Sequence, residues 1–159
     1  MKIKCIVVGK VKEKFYRQAL EEFQKRLQKY CKLEIIEVAD EKTPDKAGTK
    51  IEEQIKVIEG ERILKHTKEQ DYVIALAISG RSLDSQGLAQ KLADLGVTGN
   101  SNVVFVIGGS LGLSSAVLKR ADYQLSFSAM TFPHQLMRVI LLEQIYRSFR
   151  IISGEPYHK

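Results

Sequence analysis

The sequence predicts an α/β fold with a parallel-sheet core and helices on both faces, formed by a single domain over residues 1–159. Short apolar runs alternate along the chain with longer segments whose apolar residues recur every three or four positions. The apolar runs are nearly continuous, which is typical of parallel strands buried on both faces. Such sheets bind ligands beyond the carboxyl ends of their strands, so the loops that follow the strands are the first places to look for a site.

Each element follows from its own pattern. The first predicted helix has apolar residues at Phe15, Ala19, Phe23 and Leu27, which share one face at helical spacing. The predicted strands are Lys2–Val8, Leu33–Ala39, Asp71–Ile78, Asn102–Ile107 and Tyr123–Phe127. The predicted helices are Lys14–Tyr30, Ile51 to about Lys65, a helix through Leu88, Leu92 and Leu95 closed by Gly96, Ser114–Arg120 with a serine cap, and Pro133–Arg150. The polar segment Asp40–Gly48 is predicted to be a mobile loop.

Composition narrows the class of protein. The chain is 44% hydrophobic and 28% charged, which is the balance of a folded domain and not of a disordered one. Its two cysteines, Cys5 and Cys31, form no metal or redox motif, so we expect a reducing compartment and no metal. No signal-peptide pattern and no run of about 18 apolar residues occurs, so we expect a cytoplasmic protein without a membrane span. The net charge of +6 permits an anionic partner such as nucleic acid, although a lysine-rich surface alone gives the same value.

A glycine turn, Gly108–Gly112, directly follows the apolar run that ends at Ile107. Its pattern GGSLG is not the GxGxxG of a dinucleotide fold, it follows the fourth strand and not the first, and no acidic residue lies about 20 positions on. The sequence also has no P-loop, no HExxH and no GxSxG. The turn is therefore either a ligand wall or a tight connection between strand and helix.

The segment Phe127–Phe132 is small and polar in its middle and precedes Pro133, with Thr131 or Phe132 predicted as the helix N-cap. Its backbone groups are suited to grip the edge of an adenine, while an ordinary capping loop explains the same residues.

The last helix is apolar on nearly every side. Such a helix in a small domain either crosses the core or lies in a subunit interface, so we expect a homodimer built partly on it. Glu143 falls within this apolar run and needs a partner, for which Arg147 is one turn away. After the helix, Pro156-Tyr157-His158 places an aromatic ring and an imidazole in what is otherwise a short tail.

At these residues the sequence closely resembles the ribosomal RNA large subunit methyltransferase H family, small members of the SPOUT class. The resemblance covers essentially the whole chain and rests on four segments in this order and spacing. They are Phe105–Gly109, Leu125–Ser126 with Thr131–His134, Leu142–Arg147 and Pro156–His158.

The resemblance implies a C-terminal deep trefoil knot, a homodimer and S-adenosyl-L-methionine as the methyl donor. It implies methylation of N3 of a pseudouridine in 23S rRNA of the assembled ribosome. Carried over by position, the cofactor-binding residues are Leu76, Gly108, Phe127, Ser128, Ala129, Met130, Thr131 and Phe132. To these we add Gly109 from the pattern of the turn.

Tyr157 and His158 resemble the family's catalytic Tyr-His pair. A neutral His158 is suited either to take the N3 proton as a general base or to position the target base. Tyr157 is suited to stack on that base or to hydrogen-bond its carbonyl group. The candidates for phosphate contacts are Arg81, Arg147 and Lys159, each of which has a structural alternative.

Two other functions fit the residues without the resemblance. One is a nucleotide-binding oxidoreductase with an atypical glycine turn. The other is a non-enzymatic RNA-binding or ribosome-assembly protein, which would bind RNA with strong salt dependence and transfer no methyl group.

Overall fold

The structure, a computed structural model, describes all of residues 1–159. Five strands and five helices alternate without exception. The strands are β1 (Lys2–Val8), β2 (Lys32–Val38), β3 (Tyr72–Ser82), β4 (Asn102–Ile107) and β5 (Tyr123–Ser126). The helices are α1 (Lys14–Leu27), α2 (Thr49–Leu64), α3 (Ser85–Val97), α4 (Ser115–Arg120) and α5 (His134–Ile152).

The strands form one parallel sheet in the order β2-β1-β4-β3-β5. Because all strands run the same way, the loops after β3, β4 and β5 meet at one edge of the sheet. The predicted parallel α/β architecture is confirmed.

Helices cover both faces of this sheet. The larger core joins one face of the strands to α1, α3 and α5, with Phe105 and Leu92 fully buried at its centre. The smaller core joins the other face to α2 and α4 through Ile63 and Val117. Alternate residues of β1 enter the two cores, as the pleat of a strand requires.

Most boundaries agree with the sequence pattern. α3 is not closed by Gly96, because the helix continues through this glycine to Val97. Three larger differences involve α1, α5 and β3. α1 ends at Leu27, where a turn replaces its last predicted residues. α4 is capped as predicted, since the Ser114 hydroxyl accepts a hydrogen bond from Val117 N. α5 is not capped by Thr131 or Phe132, because Pro133 occupies the N-cap position and offers no side-chain acceptor.

The third difference is in β3, which continues past the predicted end at Ile78. Leu76 pairs with Leu125, the chain then leaves the ladder, and Arg81 pairs with the same Leu125 on its return. Gly80 closes this excursion against β5, since a Cβ at this position would lie 2.6 Å from the Gln124 carbonyl oxygen. Only glycine fits there, and Arg81 therefore belongs to the second half of the strand.

α5 crosses the core, which is one of the two positions that its apolar pattern allows. Leu141, Leu142 and Ile145 are fully buried against the sheet, and the helix packs between α1 and α3. Its one buried charge is Arg138, only 4% exposed. The Arg138 guanidinium donates to Glu37 Oε2 at 2.8 Å and to the carbonyl oxygens of Val8 and Gly9 at 2.9 and 2.7 Å.

No helix of the chain is both long and apolar enough to cross a bilayer.

We predict that Arg138→Met lowers the free energy of unfolding by about 3 kcal/mol, because it leaves two buried carbonyl groups without a donor and removes the partner of Glu37. Urea denaturation followed by circular dichroism measures the loss. Glu37→Gln is the matched control and should cost less, since Arg138 keeps both carbonyl acceptors. An Arg138→Met protein as stable as the wild type would contradict this account of the contact.

Candidate active site

A cavity of about 640 Å³ opens at the carboxyl edge of the sheet, between the excursion of β3 and the loops that follow β4 and β5. Its volume lies in the range of small-molecule sites, and ten of its eighteen lining residues are hydrophobic. Eight of the nine residues predicted to bind a cofactor line it, and Ala129 does not. The eight are Leu76, Gly108, Gly109, Phe127, Ser128, Met130, Thr131 and Phe132.

The glycine turn forms one wall of the cavity, and its shape comes from the chain itself. Gly109 accepts a hydrogen bond from Gly112 N at 3.1 Å, and Gly112 has a φ of +89°. A Cβ on Gly108 would lie 2.9 Å from the carbonyl carbon and oxygen of Gly112. Gly108 is thus needed for the turn to close, whether or not a ligand approaches it.

The loop Phe127–Phe132 forms the opposite wall. Two serine hydroxyls brace it, since Ser126 donates to the Ser128 carbonyl oxygen at 3.2 Å and Ser128 accepts from Met130 N at 3.0 Å. The loop lies outside the helices and strands, and its backbone groups form no hydrogen bond with other backbone groups. Apart from Met130 N and the Ser128 carbonyl oxygen, which the serine hydroxyls engage, its N–H and C=O groups are therefore available to a ligand.

Sequence reasoning missed several lining residues, among them His134 and Met137 on the first turn of α5. His134 also lies near Gly9 and Asp40, because a Cβ on Gly9 would be 3.9 Å from both His134 Nε2 and the Asp40 side chain. Burial lowers the pKa of His134, and the positive charge of Arg138 lowers it further. The sequence feature from which His134 could have been predicted as a lining residue is its position directly after Pro133, the N-cap of α5.

Tyr157 and His158 follow the end of α5 and pack against its second half, where Glu143 and Arg147 form hydrogen bonds with them. The Tyr157 hydroxyl donates to Glu143 Oε1 at 3.0 Å, and Arg147 Nε donates to the same oxygen at 3.0 Å. Arg147 Nη1 lies 3.2 Å from His158 Nδ1. Burial raises the pKa of Tyr157, and its hydrogen bond to Glu143 raises it further. The predicted Glu143–Arg147 pair is confirmed.

A second set of contacts anchors the tail just before these residues. Glu155 accepts a hydrogen bond from Tyr30 at 2.9 Å and pairs with Arg150, while Arg150 Nη2 donates to the Pro156 carbonyl oxygen at 2.8 Å. The Tyr30 hydrogen bond lowers the pKa of Glu155, and Arg150 adds to the shift. The tail is therefore packed on α5 and on the turn that follows α1, against the usual expectation that terminal residues fray.

Comparison with known proteins identifies the family. A family described as "Predicted SPOUT methyltransferase" matches residues 1–158. Proteins named ribosomal RNA large subunit methyltransferase H match over 159 residues, the whole of both chains. The relative from Bifidobacterium adolescentis is 64% identical, and those from Clostridium botulinum (strain Kyoto) and Clostridioides difficile are 61% identical.

The chain belongs to the SPOUT methyltransferase family.

Methyltransferases of this family transfer a methyl group, for which S-adenosyl-L-methionine is the general donor, and the cavity fits such a ligand. Apolar side chains such as Leu76 and Met137 suit the faces of an adenine ring, and the backbone groups of Phe127–Phe132 that have no hydrogen-bond partner suit its polar edge. No group of three or more His, Cys, Asp or Glu side chains is placed to hold a metal ion.

The SPOUT chain does not bring Tyr157 and His158 to its own cavity. A helix rises about 1.5 Å per residue, so Arg147, which holds His158, lies about 15 Å along α5 from Met137 at the cavity. The three candidate phosphate contacts do not form one cluster either. Arg81 lies at the β3 excursion, Arg147 is engaged by Glu143 and His158, and Lys159 is exposed at the end of the chain.

We predict that Gly108→Ala weakens binding of S-adenosyl-L-methionine at least about tenfold, or about 1.4 kcal/mol, because the added methyl group forces the turn to open. Isothermal titration calorimetry measures the change. Gly96→Ala is the matched control, since its Cβ would meet only Met1 Cε at 3.5 Å, and it should bind as the wild type does. If a folded Gly108→Ala protein binds S-adenosyl-L-methionine with the wild-type Kd, the glycine turn is not part of the binding site.

Proposed function

We propose that this protein methylates N3 of a pseudouridine in the 23S rRNA of the assembled ribosome, with S-adenosyl-L-methionine as the methyl donor. The observation that carries the proposal is the cavity between the glycine turn and the Phe127–Phe132 loop, in a chain whose full-length relatives are named as large-subunit rRNA methyltransferases. The net charge of +6 is compatible with an RNA partner. A cytoplasmic location follows from that substrate.

In this proposal the cofactor-binding residues act mainly through shape and backbone. Gly108 and Gly109 form one wall, Leu76 contributes an apolar contact, and the loop Phe127–Phe132 supplies N–H and C=O groups. Ala129 does not line the cavity and contributes only by connecting the residues of the loop that do. When bound, S-adenosyl-L-methionine supplies an electrophilic methyl group on a sulfonium.

The chain's own task is to hold the target nitrogen in line with that methyl group, since positioning alone accounts for much of the rate in such reactions. Tyr157 is suited to stack on the target base. His158 is suited to contact an edge of the base, as a base for the N3 proton or as a positioning group. Arg81 and Lys159 remain candidates for phosphate contacts.

We further propose that the active site is shared between two subunits of a homodimer. The cavity lies at the start of α5, and the Tyr157–His158 pair is fixed on its far half by Glu143 and Arg147. A rigid helix cannot fold back on itself to close this gap. A second copy can present its own tail to the cavity, and the half-buried residues along the outer side of α5 are suited to the contact.

The deep trefoil knot is part of the same proposal. The knotted segment would run from the glycine turn at Gly108 through β5 into α5. Its support is the close passage of the β3 excursion over β5 at Gly80 and the position of α5 between α1 and α3. Knotted chains are rare exceptions among proteins, so the knot is a specific expectation of this family.

Methyl transfer tests the function directly. Purified protein, a methyl-labelled donor and ribosomes from cells that lack this protein should give methylated pseudouridine in 23S rRNA, detected by mass mapping of RNA fragments. Free 23S rRNA is the comparison substrate and should react less. Salt-dependent RNA binding without any methyl transfer would favour the non-enzymatic alternative.

Mixed dimers test the shared site. Gly108→Val disables the cavity and His158→Ala disables the tail, so each variant alone should be inactive, while His158→Ala still binds the cofactor. A dimer with one subunit of each kind has one intact cavity facing one intact tail, and should recover about half of the wild-type activity. Separately tagged subunits allow this dimer to be purified. If each cavity uses the tail of its own chain, the mixed dimer stays inactive.

A further inference from the structure

The contact between Arg147 and His158 fixes where the imidazole carries its proton. Arg147 Nη1 lies 3.2 Å from His158 Nδ1, within hydrogen-bond distance. A guanidinium has five N–H donors and no acceptor, so in this contact Arg147 can only donate. His158 Nδ1 must then accept, and the ring's single proton is on Nε2.

Arg147 has little freedom to release this contact. Its Nε and Nη2 both donate to Glu143 Oε1, which also accepts from the Tyr157 hydroxyl. The guanidinium carbon lies 4.7 Å from the centre of the Tyr157 ring, and Glu143 and Arg147 are one turn apart on α5. The hydrogen bond to Glu143 raises the pKa of Arg147, so the group stays charged.

We infer that Glu143 and Arg147 are positioning residues that fix His158 as an Nε2–H hydrogen-bond donor. The inference rests on the proposed function and deepens it. His158 then donates to a carbonyl oxygen beside N3 of the target base and does not take the N3 proton. The tail recognises the edge of a uracil ring in which a nitrogen lies between two carbonyl groups.

The chemistry balances without a protein base. N3 loses its proton to water, and the negative charge that remains spreads over the two neighbouring carbonyl oxygens. A donor that faces one of these oxygens stabilises the charge as it develops. N3 then forms its bond to the methyl carbon as the bond from that carbon to sulfur breaks, so the anionic base and the cationic donor both become neutral.

Nuclear magnetic resonance of the free dimer reads the tautomer without any reaction. In protein with ¹⁵N-labelled histidine, long-range proton–nitrogen correlations distinguish a ring protonated on Nε2 from one protonated on Nδ1. We expect the Nε2–H form for His158, identified by its absence from a His158→Asn spectrum. A predominant Nδ1–H form would overturn the inference.

Arg147→Met should let His158 exchange between both tautomers, because the donor to Nδ1 is lost. The matched control is Arg26→Met. Arg26 lies over the Phe23 and Tyr146 rings and pairs with Glu22, so its loss removes a nearby charge and leaves the tautomer unchanged. A spectrum of Arg147→Met identical to the wild type would show that Arg147 does not select the tautomer.

Kinetics separate a donor from a base. His158→Gln keeps an N–H donor of similar reach but cannot act as a base, so kcat should fall by no more than about tenfold. His158→Ala should lose more, up to about 150-fold for a hydrogen bond to a developing charge. A glutamine variant as inactive as the alanine variant would point to a general base, for which about 10²–10⁴-fold is expected. Absence of methyl transfer by the wild type would instead contradict the proposed function, and the tautomer result would stand.

Discussion

The position of α5 depends on the buried Arg138 guanidinium. It reaches from the middle of the core to the carboxyl end of β1 and ties the helix to Val8, Gly9 and Glu37. One of its nitrogens, Nε, is buried without a hydrogen-bond partner. Leaving a buried donor unpaired typically costs about 1–3 kcal/mol of folding free energy. A charged side chain at this position fixes one register of the helix, because three acceptors converge on it, from Val8 at the end of β1, from the adjoining Gly9 and from Glu37 of β2.

That register decides what the two ends of α5 can do. The first turn brings His134 and Met137 against the cavity at the sheet edge. The second half carries Glu143 and Arg147, which hold the tail. One rigid element thus separates the cavity from Tyr157 and His158, and the separation is the physical reason for proposing a shared active site.

The sequence predicts those features of the fold and of the site that depend on local residue patterns. Continuous apolar runs predict the strands, and the rule that ligands bind beyond carboxyl ends predicts the edge at which the cavity opens. The Glu143–Arg147 pair also follows from spacing alone, since i,i+4 neighbours meet on a helix.

Features that depend on distant partners could not be read from the pattern. The excursion of β3 requires Gly80 to fit against Gln124, a contact between strands 44 positions apart. The order of the tail comes from the hydrogen bond between Glu155 and Tyr30 in the turn after α1, and no residue near position 155 indicates this contact in the sequence. Arg138 stands in an apolar helical run, and only the fold shows that its side chain is buried. The separation of the tail from the cavity likewise becomes visible only when α5 is seen as one unbroken helix.

Such a separation has a chemical consequence. If the methyl donor binds in this cavity as proposed, a monomer would hold the donor away from its own tail residues, the groups proposed to receive the target base. Assembly would complete the site, and the state of His158 would already be set before assembly, because Glu143 and Arg147 belong to the same helix as the tail they hold. The groups that need fixed geometry are arranged within one subunit, and only their approach to the cavity would be left to the interface between two.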